Sequence, residues 1–180
     1  MILPITQYGN PVLRKKCRPV TEVTDKLRSF VKDMIETMKD AEGVGLAAPQ
    51  VDRDLQLAVV DVSHDPECIS YLRVDGEETD LRDLMPLVFI NPDLELGREK
   101  EASTEGCLSI DGITALVKRP TSITARLGQL DGSIITIETD GLLSRAIQHE
   151  VDHLNGILFT DRISPASKVS IRRKLKRLGS

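Results

Sequence analysis

The sequence predicts an α+β fold, with mostly antiparallel sheets packed around a helix that carries two histidines and with further helices near each end. Three observations predict it. An apolar stripe at helical spacing stands near the start, short apolar runs parted by turn residues fill the middle, and two helical patterns close the chain. One helix, then many strands, then two helices is an α+β order, not a regular strand–helix alternation.

The first helix lies in "TDKLRSFVKDMIETMKDAEG", where Leu27, Val31, Met34, Ile35 and Met38 form one stripe. Thr24 suits its N-cap and Gly43 its end. "GVGLAAPQV" follows, and its two glycines and proline make it a loop or an extended edge. Leu55–Val62 is a buried-strand candidate. The polar stretch 63–83, with Pro66 and Gly76, reads as a surface loop or insertion. "LVFINP" and "LELGRE" read as a strand and a hairpin arm. Short strands are expected near Glu105–Ile110, Ala115–Val117, Ser122–Leu127 and Ile134–Glu138, the last two joined by an "LDGS" turn. A helix from about Leu142 to Asn155 has Asp140 as its cap and Gly156 as its stop. A last helix, about 164–178, has Ser164 as cap and Pro165 in the first position.

No repeat, low-complexity tract or linker divides the chain, so residues 1–180 read as one domain. Aromatic residues are 3% with no Trp, which leaves the core to aliphatic side chains and argues against base-stacking platforms. Binding of specific nucleic-acid sequences is not expected. No apolar run approaches the roughly 20 residues of a bilayer span, so no membrane partner is expected. The N-terminal stretch lacks the order of a signal peptide, and three cysteines in no framework spacing suit a reducing compartment. The expected location is the cytoplasm.

Charge is uneven. The segment 162–180 carries seven Lys or Arg and no acid, leaving −11 on the remainder of a chain whose net charge is −4. The simpler reading of this basic segment is a solvated amphipathic helix; the alternative is a contact with an anionic partner.

The chemistry centres on "QHEVDH". On a helix, His149 and His153 are four residues apart and differ by about 40° around the axis, so both can reach one metal ion. Glu150 lies about 100° round from His149, placed to reach a water on that metal as a general base. A third ligand is needed. In a zinc endopeptidase it usually follows the helix, but downstream of His153 there is no His, Cys or Glu, and only Asp161 could serve. Upstream the candidates are Cys17, His64, Cys68, Cys107 and the acids. Cys107 is preferred, because Gly106 lets the backbone come close and a strand holds the thiol. A thiolate with two imidazoles suits a tetrahedral site with one open position.

With these residues in view, the chain resembles the peptide deformylases, which remove the formyl group from the N-terminal methionine of new bacterial polypeptides. "GVGLAAPQ" (Gly43 to Gln50), "EGCLS" (Glu105 to Ser109) and "QHEVDHLNG" (Gln148 to Gly156) carry the resemblance. It implies a metal on Cys107, His149 and His153 with water in the fourth position, and Glu150 as general base and acid. It implies Fe²⁺, with Zn²⁺, Ni²⁺ or Co²⁺ able to substitute. The Gln50 side-chain amide and the Leu108 backbone N–H would steady the developing oxyanion. Gly45 would lie against the extended peptide, Val44, Leu142 and Ala146 would line the methionine pocket, and Glu105 would orient the site. Formyl-methionyl nascent peptides are the implied substrate; separately, the basic C-terminal helix invites a smaller hypothesis, that it docks on ribosomal RNA near the peptide exit. A peptidase using Asp161 and a non-catalytic metal or peptide binder remain as alternatives. Two features depart from the family: Asp111 and Gly112 stand where most relatives have Pro, and Thr114 where many have Arg. Arg145 would either join the pocket rim or face solvent.

Overall fold

The computed structural model describes residues 1–66 and 70–179 of the chain. Helix α1 (Asp25–Asp40) begins as expected, with the Thr24 hydroxyl accepting from Leu27 N–H at 3.1 Å. Its buried stripe of Leu27, Val31, Met34 and Met38 packs on one face of a seven-stranded sheet. The strands are β1 (Gly45–Ala47), β2 (Leu57–Val60), β3 (Leu72–Val74), β4 (Glu77–Glu78), β5 (Leu87–Leu96), β8 (Ser122–Gly128) and β9 (Ile134–Asp140). Their order is β1-β2-β5-β8-β9-β3-β4, and every pairing is antiparallel. Strands β6 (Lys100–Cys107) and β7 (Ile110–Pro120) form a separate hairpin.

Strand β2 shows why the centre of this sheet is apolar on both sides. Successive side chains alternate faces: Leu57 and Val59 join the cluster with α1, while Ala58 and Val60 join the cluster with α3 (Gly141–Leu154). All four are fully buried, so the run reads as continuously hydrophobic, not alternating. From α3, Leu143, Ala146, Ile147 and Leu154 enter that second cluster. Ser144, Gln148, Glu150, Asp152 and His153 on the same helix are buried too. A helix buried nearly all round gathers its polar side chains away from water, and those side chains build the site. A third cluster fastens α4 (Pro165–Leu178) through Ile171 to Ile113 and Val117 of β7, with Val12, Leu13 and Phe159. The Ser164 cap and Pro165 at the first helical turn are as expected.

Four elements differ from the sequence reading. The strand expected near Glu105–Ile110 is instead the end of β6, a turn at Leu108 and Ser109, and the first residue of β7. The polar stretch 63–83 is not only a loop, because β3 and β4 extend the main sheet beside β9 and a short helix α2 (Leu81–Leu84) follows. The Asp75–Gly76 pair, both at positive φ (50° and 85°), makes the tight hairpin turn, and Leu72 is buried. Residues 67–69, within that stretch, lie outside the described residues. "LVFINP" and "LELGRE" contribute to one strand, β5, bent by a bulge between Ile90 and Asp93. Asn91 sits there at φ 48°, and its amide holds both Val20 N–H (2.8 Å) and Val20 C=O (2.9 Å). Asp140 occupies the N-cap position of α3, but its carboxylate accepts from Tyr71 N–H at 2.8 Å; the Ser70 hydroxyl accepts from Leu143 N–H instead, at 3.1 Å. No helix among the described residues is long and apolar enough to cross a membrane.

Candidate active site

Strand β6 ends at Cys107, directly over the His149–His153 face of α3. One donor atom from each of these three residues lies within 4.8 Å of the others. Cys107 Sγ is 3.3 Å from His153 Nε2. His149 Nδ1 pairs with Glu105 Oε1 at 2.9 Å, which leaves Nε2 as its free ligand atom. A carboxylate behind an imidazole fixes its tautomer and its direction, as in many metal sites. His153 is 1% exposed, and its Nδ1 finds no partner among the described residues. Sulfur and two imidazole nitrogens this close together fit a first-row transition metal with a position left open.

Protonation of the two histidines differs sharply. Burial opposes the charged form of His149, but Glu150 and then Cys107 and Glu105 outweigh it and lift its pKa to about 10. Burial drives His153 well below the usual histidine value.

Glu150 stands beside the donors. It is 3% exposed, Oε1 has no hydrogen-bond partner among the described residues, and burial pushes its pKa up to about 7. It fits because Gly45 has no side chain: a Cβ there would collide with the Glu150 carboxylate. Making room for Glu150 is thus one demand on Gly45, beside the peptide contact that the resemblance implies. Gly43 is bare for a similar reason, since a Cβ would meet Leu108 Cδ1 at 2.8 Å.

Gln50, buried in the 3₁₀ turn after β1, accepts from Ala47 N–H at 2.9 Å and donates to Ser109 Oγ at 3.1 Å and Cys107 Sγ at 3.4 Å. Leu108 sits in the turn between β6 and β7, its carbonyl accepting from Gln7 Nε2 at 3.0 Å. A cleft of about 380 Å³ opens over these groups. Of the site residues the resemblance implies, Val44, Gly45, Gln50, Glu105, Cys107, Leu108, Leu142, Ala146, His149 and Glu150 line it, while His153 lies buried behind.

Sequence reasoning missed the charges that hold this arrangement. Arg119, 3% exposed, donates to Glu105 at 2.6 and 2.9 Å and to Asp152 at 2.8 Å. Asp152 also accepts two bonds from Arg162, at 2.6 and 2.8 Å. Burial alone would raise the pKa of Glu105, but the bonds from His149 and Arg119 bring it down to about 2. One signal was available. On β7, Arg119 is two residues beyond the buried Val117, so the alternation turns it inward. Arg145 does not face solvent: it reaches Glu105 Oε2 (2.6 Å) and the carbonyls of Val117 (3.0 Å) and Glu101 (2.8 Å).

The other ligand candidates are elsewhere. Asp161 is paired with Arg14 and accepts from Leu158 N–H, so it is not the third donor an endopeptidase would need. Cys17 is buried against Leu154, with its thiol pushed up to about 11 by burial. His64 is exposed beside Asp61. Cys68 lies outside the described residues. Asp111 and Gly112 fall in a bulge where the register shifts between Gly106 and Cys107; Gly112 has φ 71°, and Asp111 points to solvent. Thr114 is exposed opposite Gly106.

An α+β fold that brings a thiol, two imidazoles and an unpartnered buried carboxylate to one cleft has the features of a metal-dependent hydrolase. Comparison with known proteins makes this specific. Residues 2–169 match the family model described as polypeptide deformylase. A peptide deformylase of Methylacidiphilum infernorum (isolate V4) is 44% identical over 178 residues, covering 99% of this chain and 93% of that one. One from Clostridium botulinum (strain Alaska E43 / Type E3) is 46% identical over 158 residues, covering 88% and 94%. The crystal structure of the Thermotoga maritima peptide deformylase aligns with TM-score 0.78 at 37% identity, over 92% of this chain and 99% of that one. A Synechococcus elongatus peptide deformylase in complex with actinonin gives 0.81 at 36%, over 98% and 86%. The chain belongs to the polypeptide deformylase family, metal-dependent hydrolases that remove the N-terminal formyl group from nascent polypeptides.

Proposed function

We propose that this chain removes the formyl group from formyl-methionyl nascent peptides with Cys107, His149 and His153 as its metal ligands and Glu150 as its catalytic acid–base. The observation that carries this reading is the convergence of those three donors beside the unpartnered Oε1 of Glu150. The ion we assign is Fe²⁺, one per chain, with Zn²⁺, Ni²⁺ or Co²⁺ accepted by the same ligands. When bound, it supplies Lewis-acid character that brings the pKa of a water towards about 7.

The remaining steps belong to the chain's own residues. Glu150 Oε1 takes a proton from the attacking water and returns it to the leaving amine nitrogen as the C–N bond breaks. Gln50 turns one amide hydrogen from the Cys107 sulfur to the formyl oxygen, and Leu108 N–H supplies the second donor. Glu105, held by Arg119, keeps His149 oriented. Gly45 leaves backbone open for an extended peptide to add beside the edge strand β1, while Val44, Leu142 and Ala146 take the methionine side chain.

Residues 1–180 act as one domain in the cytoplasm, where formylated chains emerge. The basic face of α4 docks on ribosomal RNA. Reversing two exposed charges, Arg172→Glu with Lys176→Glu, is expected to weaken ribosome binding at least about tenfold at low salt; unchanged binding contradicts the dock. The activity itself is tested by formate release from formyl-Met-Ala under anaerobic conditions with Fe²⁺. Formate is expected from that peptide and no cleavage from its unformylated form. Cleavage of internal bonds in longer peptides would favour a peptidase instead.

A further inference from the structure

The cleft is walled by α3, by β6 with the turn after it, and by the segment Glu42 to Gly45 with Gln50. Helix α3 contributes Leu142, Arg145, Ala146 and His149, spaced as one stripe, and β6 faces them across the opening. Arg145 crosses from α3 to β6, as His149 does through its own bond to Glu105. Its guanidinium is pinned on the far side by three acceptors: Glu105 Oε2, the Glu101 carbonyl and the Val117 carbonyl. A planar fork held at three points has little freedom to swing aside, and only 14% of this side chain is exposed.

Its bond to Glu105 is the redundant one. The two Glu105 oxygens receive four donors: two from Arg119, one from Arg145 and one from His149. Without Arg145, Glu105 keeps a bidentate cation and its bond to His149. What Arg119 and His149 do not supply is the reach of Arg145 from α3 to the Glu101 and Val117 carbonyls, which lays its side chain along the cleft wall.

We propose that Arg145 is a specificity-determining residue: its tethered guanidinium closes the α3–β6 side of the pocket for the first side chain and limits the size of residue admitted. This rests on the deformylase reading given above. Removing the barrier favours a larger first residue, because specificity is a difference between two affinities and the loss of a clash acts on one of them.

The test is the ratio of kcat/KM for formyl-Phe-Ala to that for formyl-Met-Ala, measured with thermal melts on the Fe²⁺-loaded enzyme. Arg145→Ala and Arg145→Leu are each expected to raise the ratio about tenfold or more, and Arg145→Lys to leave it within about threefold. The leucine variant keeps apolar packing on α3 and carries the test if the alanine variant does not fold. A parallel fall on both substrates with an unchanged ratio would mean that Arg145 acts only by holding Glu105, and would overturn the proposal. If the unsubstituted enzyme releases no formate from formyl-Met-Ala, it is the deformylase reading that fails, a distinct result.

Discussion

Glu150→Gln is expected to lower kcat/KM for formyl-Met-Ala by about 10²–10⁴-fold, the usual share of a general acid–base, with bound metal unchanged. An amide of the same shape fits the space left by Gly45, where a carboxylate now sits with no room to spare. What it removes is the capacity of Oε1 to accept and return a proton. Glu150 is outside the donor cluster, so metal content serves as a control. Melting temperature is a second control. The buried carboxylate has no hydrogen bond at Oε1 among the described residues, and replacing a charge whose burial is unfavourable by a neutral amide should not destabilise the fold. Equal turnover with and without the carboxylate would show that Glu150 does not perform the proton transfer.

Arg119→Met is expected to destabilise the protein by about 3 kcal/mol, the lower end of the range for breaking a buried ion pair. It would strip a shared cation from Glu105 and Asp152, both almost fully buried. The cost stays at the lower end because Arg145 still reaches Glu105 and Arg162 still reaches Asp152. At this chain length it corresponds to a melting temperature lower by roughly 6–12 °C. Arg162→Met is the comparison. Arg162 is 43% exposed at its side chain, and solvent-screened pairs contribute only about 0.2–1 kcal/mol. Equal melting temperatures for the two variants would show that burial does not set the value of Arg119.

The helical spacing of His149, Glu150 and His153 made one half of the centre legible in the sequence, because a 3.6-residue period turns sequence distance directly into direction. Leu27, Val31, Met34 and Met38 identified α1 in the same way. Cys107 was reachable by asking which side chain could complete the ligand set, since no local spacing connects β6 to α3. Arg119, Asp152 and Arg162 escaped because ion pairs between distant elements leave no periodic trace; only the inward alternation at Arg119 hinted at a buried charge. The β3–β4 hairpin was hidden among polar residues, although "VDGE" is a turn signal between two short strands. The single strand β5 could not be read from its sequence, because the left-handed Asn91 allows it to bend without ending.

The central claim is that Cys107, His149 and His153 together hold one catalytic ion. Its most direct test is metal content after anaerobic loading with Fe²⁺ and, separately, with Zn²⁺, followed by gel filtration. The unsubstituted chain is expected to retain about one ion per chain, and Cys107→Ser to retain well under half of that for either ion. Full retention by Cys107→Ser at unchanged affinity would contradict the assignment of Cys107 as a ligand.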